Sequence, residues 1–171
     1  TFPLISGLIV NTAGFPIFYM QIRLGRNAKP FKIIKYRTMI RDAESDGKAR
    51  PAAENDDRAT FIGKILRKMH LDEAPQFINI LRGEMSLVGP RSERPEIVAH
   101  LQEYIPFYRA RLFVKPGLSG WAQVNYGYAS GVESNAVKLE YDLYYIKHRT
   151  LALDFMIMLR TLGTVVGLRG R

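Results

Sequence analysis

The sequence contains no cysteine among its 171 residues, and its three histidines, His70, His100 and His148, lie far apart in the chain. The absence of cysteine excludes disulfides and thiolate metal sites, and it agrees with a reducing compartment such as the cytoplasm. The spacing of the histidines suits neither a metal site nor a catalytic triad. We therefore interpret them as ordinary surface or hydrogen-bonded side chains.

Long apolar runs and nucleotide-binding fingerprints are also missing. A spanning helix needs about 20 apolar residues, whereas Asn11, Thr12 and Gly14 interrupt the apolar start TFPLISGLIV. This start has neither the basic segment nor the cleavage site of a signal peptide. We expect the chain to be the C-terminal part of a longer protein. Since no Walker loop or dinucleotide motif is present, nothing supports ATP-driven or NAD-dependent chemistry.

Acidic residues are fewer than basic ones: 16 Asp and Glu stand against 25 Lys and Arg, for a net charge of +9. Such a surplus favours polyanionic partners, namely nucleic acid, anionic lipid headgroups or phosphorylated substrates. Basic residues interleaved with aromatic ones, as in FKIIKYRTM and FYRARLFVKP, keep nucleic-acid binding open as an alternative. Because the basic residues are spread along the whole chain, with no recognition-helix or zinc signature, we expect no nucleic-acid partner.

The length suits a single domain, 1–171, of the α/β or α+β class. Aromatic and β-branched residues in 16–39, divided by the turn RNAKP, predict a β-hairpin. Residues 42–59 carry mixed charge with Gly and Pro and predict an exposed loop. Apolar residues at three- and four-residue spacing predict an amphipathic helix over 60–70. The fold is thus expected to be mainly helical with a small hairpin.

A second helix is expected directly afterwards, within KMHLDEAPQFINILRG. Asp72 is a good N-cap, Pro75 is tolerated in a first turn, and Gly83 suits the C-terminal cap. The Gly-Pro pair at 89 and 90 predicts a turn that presents Arg91 and Arg94.

The rest of the chain alternates between helical and irregular patterns. Helices are predicted from Pro95 to about Glu103 and over 133–147, and VKPGLSGWAQVNYGY between them reads as irregular loop with a short strand. The last segment, LALDFMIMLRTLGTVVGL, is apolar on nearly every side. Such a helix is either fully buried or lies at a membrane interface.

The adjacent carboxylates Asp72 and Glu73 admit two interpretations. On spacing alone a helix cap is favoured, with a contribution of about 1–2 kcal/mol from capping and the helix dipole. Alternatively, an aspartate at a phosphate-attracting helix end is a nucleophile toward phosphorus while its neighbour binds a divalent cation. Arg67 and Arg91 would then neutralise phosphate charge during transfer.

Four long segments carry a resemblance to a known family. RLGRNAKPFKIIKYRTM, IGKILRKMHLDEAPQFINILRGEMSLVGPR, KPGLSGWAQVN and YDLYYIKHRTLALDFMIMLRT follow one another in the chain. Together they resemble the bacterial sugar transferases, the monotopic polyprenyl-phosphate phosphoglycosyl transferases, from about Pro3 to Gly167. RSERPE and VNYGYASGVES are most similar to the branch linked to exopolysaccharide assembly.

The resemblance implies transfer of a sugar 1-phosphate from a UDP-sugar to undecaprenyl phosphate, with release of UMP. Asp72 matches the nucleophile of the family's LDE motif, which forms a phosphosugar-aspartate intermediate. Glu73 matches the partner acid that helps to hold Mg²⁺, the implied cofactor. The positively charged residues that match the active site are Lys35, Arg67 and Arg91. Asp142 matches a further acid of the substrate-binding region, with its role left open.

The resemblance also implies a location, the cytoplasmic face of the bacterial inner membrane. Family members enter the membrane through a re-entrant N-terminal helix that breaks at a proline, so residues 1–15 are expected to be the remnant of that helix, with its break at Pro3. The family's usual GPRP is GPRS here, with Ser92 in place of proline. The identity of the sugar is not readable from any motif, and homo-oligomer formation is left open.

Overall fold

The computed structural model describes residues 2–40, 43, 56–126 and 131–166. Most of the loop predicted for 42–59 lies outside these residues. The helices are α1 (Phe2–Ala13), α2 (Phe61–Lys68), α3 (Gln76–Leu81), α4 (Pro95–Tyr104), α5 (Trp121–Asn125), α6 (Gly131–His148) and α7 (Leu151–Val166). The strands are β1 (Phe18–Leu24), β2 (Pro30–Tyr36), β3 (Ser86–Val88) and β4 (Gly117–Ser119). Within the described ranges, no helix combines the length and the apolar character needed to cross a membrane.

The structure confirms a mixed fold in which helices predominate over two small sheets. β1 and β2 form one two-stranded sheet, the predicted hairpin, and β3 pairs with β4 in the other. The chain divides into two compact units. The first unit comprises Thr1–Tyr19, Ile34–Pro75 and Thr164–Arg171, and the second comprises Met20–Ile33 and Gln76–Gly163.

The core of the first unit forms where α1 and α2 pack. Its buried side chains are Ile5, Ile9, Tyr36 and Leu66. The predicted apolar stripe of α2 is only partly used, because Leu66 is buried while Phe61 and Ile65 remain exposed. Phe61 and Ile65 therefore give α2 an exposed apolar surface.

The start of α2 is fixed against the backbone that follows β2. The hydroxyl of Thr60 accepts a hydrogen bond from the backbone N–H of Gly63 at 3.0 Å, which caps the helix. The backbone N–H of Thr60 donates to the carbonyl of Thr38 at 2.9 Å. Gly63 packs so closely on this segment that an added Cβ would overlap the carbonyl oxygen of Thr38.

We expect Gly63→Ala to lower the free energy of unfolding by about 2–3 kcal/mol, since neither backbone is free to move without strain. Chemical denaturation with Gly7→Ala as the matched control tests this. Gly7 lies in α1 with no atom close enough to obstruct a Cβ, so that change is expected to be neutral or stabilising. Equal stability of the two variants would contradict the tight contact.

The predicted helix start at Asp72 is wrong. Leu71–Glu73 form a 3₁₀ turn, and α3 begins only at Gln76. Pro75 has no N–H to donate to the carbonyl of Leu71, so an α-helical turn cannot close on that carbonyl. That carbonyl instead accepts from the N–H of Ala74 at 3.2 Å, which closes the shorter turn. Gly83 follows α3 with φ of +75°, as expected for a residue that ends a helix.

The second unit holds three clusters of buried side chains. The largest joins α4, the 3₁₀ helix Tyr108–Phe113 and α6, through Val98, Leu101, Ile105, Tyr108, Leu112 and Leu139. Another collects Val88, Tyr145 and Ile157, and the third Phe31, Ile33 and Met85. The helices predicted from Pro95 and over 133–147 are confirmed as α4 and α6, whereas β3 and α5 were not predicted.

The last helix, α7, is not fully buried. Ile157 is completely inaccessible, but Leu151 is 88% exposed and Phe155 is 59% exposed. Leu159 and Leu162 continue this exposed apolar face at helical spacing. The interpretation of α7 as a buried core helix is therefore wrong, and the membrane-interface interpretation stays a prediction.

Candidate active site

Asp72 and Glu73 share the 3₁₀ turn that leaves α2. His70 lies between α2 and the turn in the left-handed conformation, with φ of +54°. The N–H of Glu73 donates to the carbonyl of His70 at 3.3 Å, which holds the turn closed. Both carboxylates are half-buried. The turn thus presents two adjacent acids on a tightly hydrogen-bonded backbone.

Lys35 on β2 reaches the second of these acids. Its Nζ lies 2.7 Å from Oε1 of Glu73, and the two side chains are only 17% and 13% exposed. Because this ion pair is shielded from water, the attraction between its two charges is stronger than in a surface ion pair. The structure therefore brings together two residues that the sequence resemblance had named separately, Lys35 and Glu73.

Arg67, in the last turn of α2, lies in the same unit. Its Nε donates to the hydroxyl of Thr38 at 2.9 Å, and Thr38 is buried beside the end of β2. This bond anchors the base of the guanidinium group. Four predicted site residues, Lys35, Arg67, Asp72 and Glu73, thus belong to the first unit.

The donor chemistry of the turn fits Mg²⁺ only in part. Magnesium binds carboxylate oxygens, usually one or two from the protein, and completes its octahedron with water and substrate phosphates. Asp72 and Glu73 supply such oxygens, although one oxygen of Glu73 contacts Lys35. In the described part of the chain, no group of three or more His, Asp or Glu side chains could hold a metal ion. The residues present therefore fit an ion shared with a phosphate ligand.

Arg91 lies in the second unit, in a turn built from closely packed backbone. β3 and β4 pair in parallel, with Val88 opposite Ser119, and the N–H of Gly117 donates to the carbonyl of Pro90 at 2.9 Å. A Cβ on Gly117 would collide with the backbone of Gly89. Glycines in VGPR and KPGLSG thus allow the two segments to meet and fix the backbone of Arg91.

Asp142, the sixth predicted residue, is buried in an ionic cluster of the second unit. Its Oδ2 lies 2.8 Å from a nitrogen of Arg111, and both side chains are 2% exposed. Arg111 also donates to the carbonyl of Arg91 at 3.1 Å. Glu93 accepts from Lys138 at 2.9 Å and lies 3.7 Å from Arg111. Asp142 therefore reaches Arg91 through Arg111; that it binds substrate stays a prediction.

The charges of this cluster perturb one another. Burial alone would raise the pKa of Glu93, but Lys138 and Arg111 outweigh it and lower this pKa to about 2. For Asp142 burial is the larger effect, and it raises the pKa despite the attraction of Arg111. Glu93 is thus firmly ionised, and both Arg111 and Lys138 favour the charged forms of the two acids.

The sequence reasoning missed Arg111, Glu93 and Lys138. One signal was available for Lys138, because it precedes Asp142 by four residues on a predicted helix and so shares its face. Arg111 carried no such signal, because its 3₁₀ helix is too short to show a repeating pattern of side chains and its acidic partners are distant in the sequence.

Comparison with known proteins adds a family and several relatives. The model of the bacterial sugar transferase family matches residues 1–168. An Aeromonas hydrophila protein named UDP-N-acetylgalactosamine-undecaprenyl-phosphate N-acetylgalactosaminephosphotransferase is 42% identical over 96% of this chain and 40% of its own length. The Klebsiella pneumoniae UDP-glucose:undecaprenyl-phosphate glucose-1-phosphate transferase is 41% identical over 92% of this chain and 34% of its own length. The exopolysaccharide production protein ExoY of Sinorhizobium fredii is 35% identical over 99% of this chain and 78% of its own length.

The chain covers different fractions of the lengths of these relatives. It spans well under half of the first two relatives and more than three quarters of the third. The first two names also specify different sugars, N-acetylgalactosamine and glucose, at nearly the same identity. Overall similarity to these relatives therefore does not select a sugar.

Proposed function

Because the chain belongs to the bacterial sugar transferase family, we propose that it moves a sugar 1-phosphate from a UDP-sugar to undecaprenyl phosphate and releases UMP. The relatives from Aeromonas hydrophila and Klebsiella pneumoniae are named for reactions on such substrates. The observation that carries the proposal is the half-buried Asp72–Glu73 turn, with Lys35 bound to Glu73 and Arg67 in the same unit. The similarity to an exopolysaccharide production protein suggests a role early in exopolysaccharide synthesis.

The reaction proceeds in two displacements at one phosphorus atom. A carboxylate oxygen of Asp72 attacks the phosphorus that bears the sugar, and the bond to the bridging oxygen breaks, so that UMP leaves with the electron pair. A phosphate oxygen of the lipid then attacks the same phosphorus and displaces the Asp72 carboxylate. The product is a polyprenyl diphosphate sugar, and no proton transfer is required because every oxygen involved belongs to an acid that is ionised at neutral pH.

Fixed positive charge is the main requirement of such a site, since donor, acceptor and leaving group are all phosphates. Arg67 and Arg91 supply guanidinium groups suited to phosphate oxygens. Lys35 neutralises Glu73 and fixes its orientation. Asp72 and Glu73 would hold Mg²⁺, which would supply further neutralisation of the charge on the phosphate oxygens. Asp142 acts through Arg111, whose bond to the Arg91 carbonyl orients that turn.

We also place the protein on the cytoplasmic face of the bacterial inner membrane, where the lipid substrate lies. Exposed apolar side chains on separate helices support this location: Leu8 on α1, Phe61 and Ile65 on α2, and the α7 face that includes Leu151 and Phe155. Apolar helix faces flanked by basic residues bind membrane interfaces. In this setting α1 lies in the membrane interface through Leu8.

The general test of the activity is a panel of UDP-sugars assayed for UMP release. With undecaprenyl phosphate and Mg²⁺ present, one or a few UDP-sugars are expected to release UMP, and omission of Mg²⁺ is expected to stop the release. A preparation that releases no UMP from any sugar in the panel, while it remains folded, would contradict the proposal.

Glu73→Gln is expected to raise the Mg²⁺ concentration needed for half-maximal rate by about 10- to 100-fold, and to slow turnover at saturating Mg²⁺. The glutamine keeps an oxygen for Lys35 but loses the charge that attracts the cation. A Mg²⁺ titration of UMP release measures both effects, with Glu103→Gln, an exposed acid on α4, as the control. An unchanged Mg²⁺ requirement would show that Glu73 serves Lys35 and not the metal.

A further inference from the structure

The second unit contains a cavity of about 460 Å³, which we call the basic cavity. Three cationic side chains line it, from the hairpin turn, the segment before β4 and the α6–α7 connection: Arg26, Lys115 and Arg149. Its volume falls within the range of sites for small ligands. None of the six residues of the proposed active site lines it.

The positive charge that lines the basic cavity exceeds the negative charge that lines it. Within the described residues, the side chains of Arg26, Lys115 and Arg149 make no ion pair, whereas Arg23, Lys35, Arg58, Arg111 and Lys138 all do. The acid in the lining is Asp154, whose Oδ1 already accepts a hydrogen bond from the hydroxyl of Tyr145 at 2.8 Å. Three like charges around one concave surface repel one another, and a bound anion relieves that repulsion.

The remaining lining indicates what kind of anion fits. Ser86 and Thr150 also line the cavity, and their hydroxyl groups are donors suited to phosphate oxygens. Val88, Val114 and Leu151 contribute apolar surface, and Leu151 is 88% exposed at the cavity. A bare inorganic ion would leave this apolar part uncovered, whereas the organic portion of an ester would cover it.

We infer that the basic cavity binds a phosphate ester, with the phosphate between Arg26, Lys115 and Arg149 and the ester group against Leu151 and the two valines. Two sources offer this chemistry: the headgroup of an anionic phospholipid, and a soluble phosphate ester such as a nucleoside monophosphate. The inference does not depend on the chemistry at Asp72, since the residues concerned are different ones.

The test compares two triple variants of equal charge. In the cavity variant, Arg26, Lys115 and Arg149 are all replaced by glutamine. In the control variant, Lys32, Arg82 and Arg109 are replaced in the same way; they are exposed residues of the same unit outside the cavity lining. Both variants lose three positive charges, so non-specific attraction falls equally. Circular dichroism and thermal unfolding establish that both are folded.

Two arms distinguish the sources of phosphate. In the first, co-sedimentation compares phosphatidylcholine vesicles with vesicles that also contain phosphatidylglycerol; in the second, calorimetry measures binding of UMP and of inorganic phosphate. We expect the wild type to prefer the anionic vesicles or to bind UMP, and the cavity variant to lose on the order of 100-fold in that affinity. The control variant should change by less than about threefold.

Each outcome decides the inference. A selective loss in the vesicle arm identifies a lipid headgroup as the ligand, and a selective loss in the UMP arm identifies a soluble ester. Equal binding by the cavity and control variants in both arms overturns the inference, as does a wild-type protein that binds none of the probes.

Discussion

Asp72→Asn is expected to lower UMP release by about 10⁴-fold or more, to the level of the uncatalysed background. The amide oxygen of asparagine carries no charge and is a poor nucleophile toward phosphorus, so the first displacement cannot occur. The substitution preserves the size and shape of the side chain in the 3₁₀ turn Leu71–Glu73. The loss is therefore expected in the chemical step, with the fold intact.

The matched control for this change is Asp57→Asn. Asp57 is an exposed aspartate of the same unit, and its replacement should leave the rate within about twofold. Steady-state UMP release, with thermal unfolding measured in parallel, separates lost chemistry from lost structure. Wild-type turnover by a folded Asp72→Asn protein would be incompatible with the covalent mechanism.

Arg111→Met is expected to have the largest effect on stability, a loss of about 3–5 kcal/mol in the free energy of unfolding. Arg111 is 3% exposed and compensates both Asp142 and Glu93. Without it, the two buried acids lose the cation that contacts both of them, although Lys138 and Arg23 still pair with Glu93, and the carbonyl of Arg91 loses a donor. Such a loss is a large fraction of the total stability of an ordinary domain, about 5–15 kcal/mol.

Chemical denaturation measures this prediction against Arg109→Met. Arg109 is an exposed arginine of the same 3₁₀ helix, and its replacement should cost less than about 0.5 kcal/mol. Adding Asp142→Asn to Arg111→Met should restore part of the loss, because a neutral amide no longer requires a buried cation. Equal stability of the two single arginine variants, or no coupling in the double variant, would contradict the ionic cluster.

Elements with a strong local period could be predicted from the sequence. Ile62 and Leu66 carry the helical spacing of α2, and both face the core of the first unit. The hairpin followed from two segments rich in aromatic and β-branched residues on either side of RNAKP, and β1 and β2 lie in that range. These signals come from residues that are neighbours in the sequence, so the two elements could be predicted without knowing their distant contacts.

Features that depend on distant partners could not be predicted. β3 and β4 have three residues each, too few to show a period, and they exist because Ser86 and Gly117 pair across the chain. The 3₁₀ turn Leu71–Glu73, which precedes α3, was also missed, because the cap preference at Asp72 favoured an α-helix there. The motif resemblance named Lys35 and Glu73 without showing that they touch, and nothing local linked Arg111 to Asp142.

Direct detection of the covalent intermediate tests the central claim. The protein is incubated with the UDP-sugar that gives UMP release and with Mg²⁺, without undecaprenyl phosphate, and intact and tryptic masses are measured. We predict an increase by one sugar phosphate, confined to the peptide of residues 69–82 and lost in Asp72→Asn. It should disappear from the wild type when undecaprenyl phosphate is added. UMP release with the lipid acceptor but no adduct on that peptide, or an adduct that persists in Asp72→Asn, would contradict the assignment of Asp72 as the nucleophile.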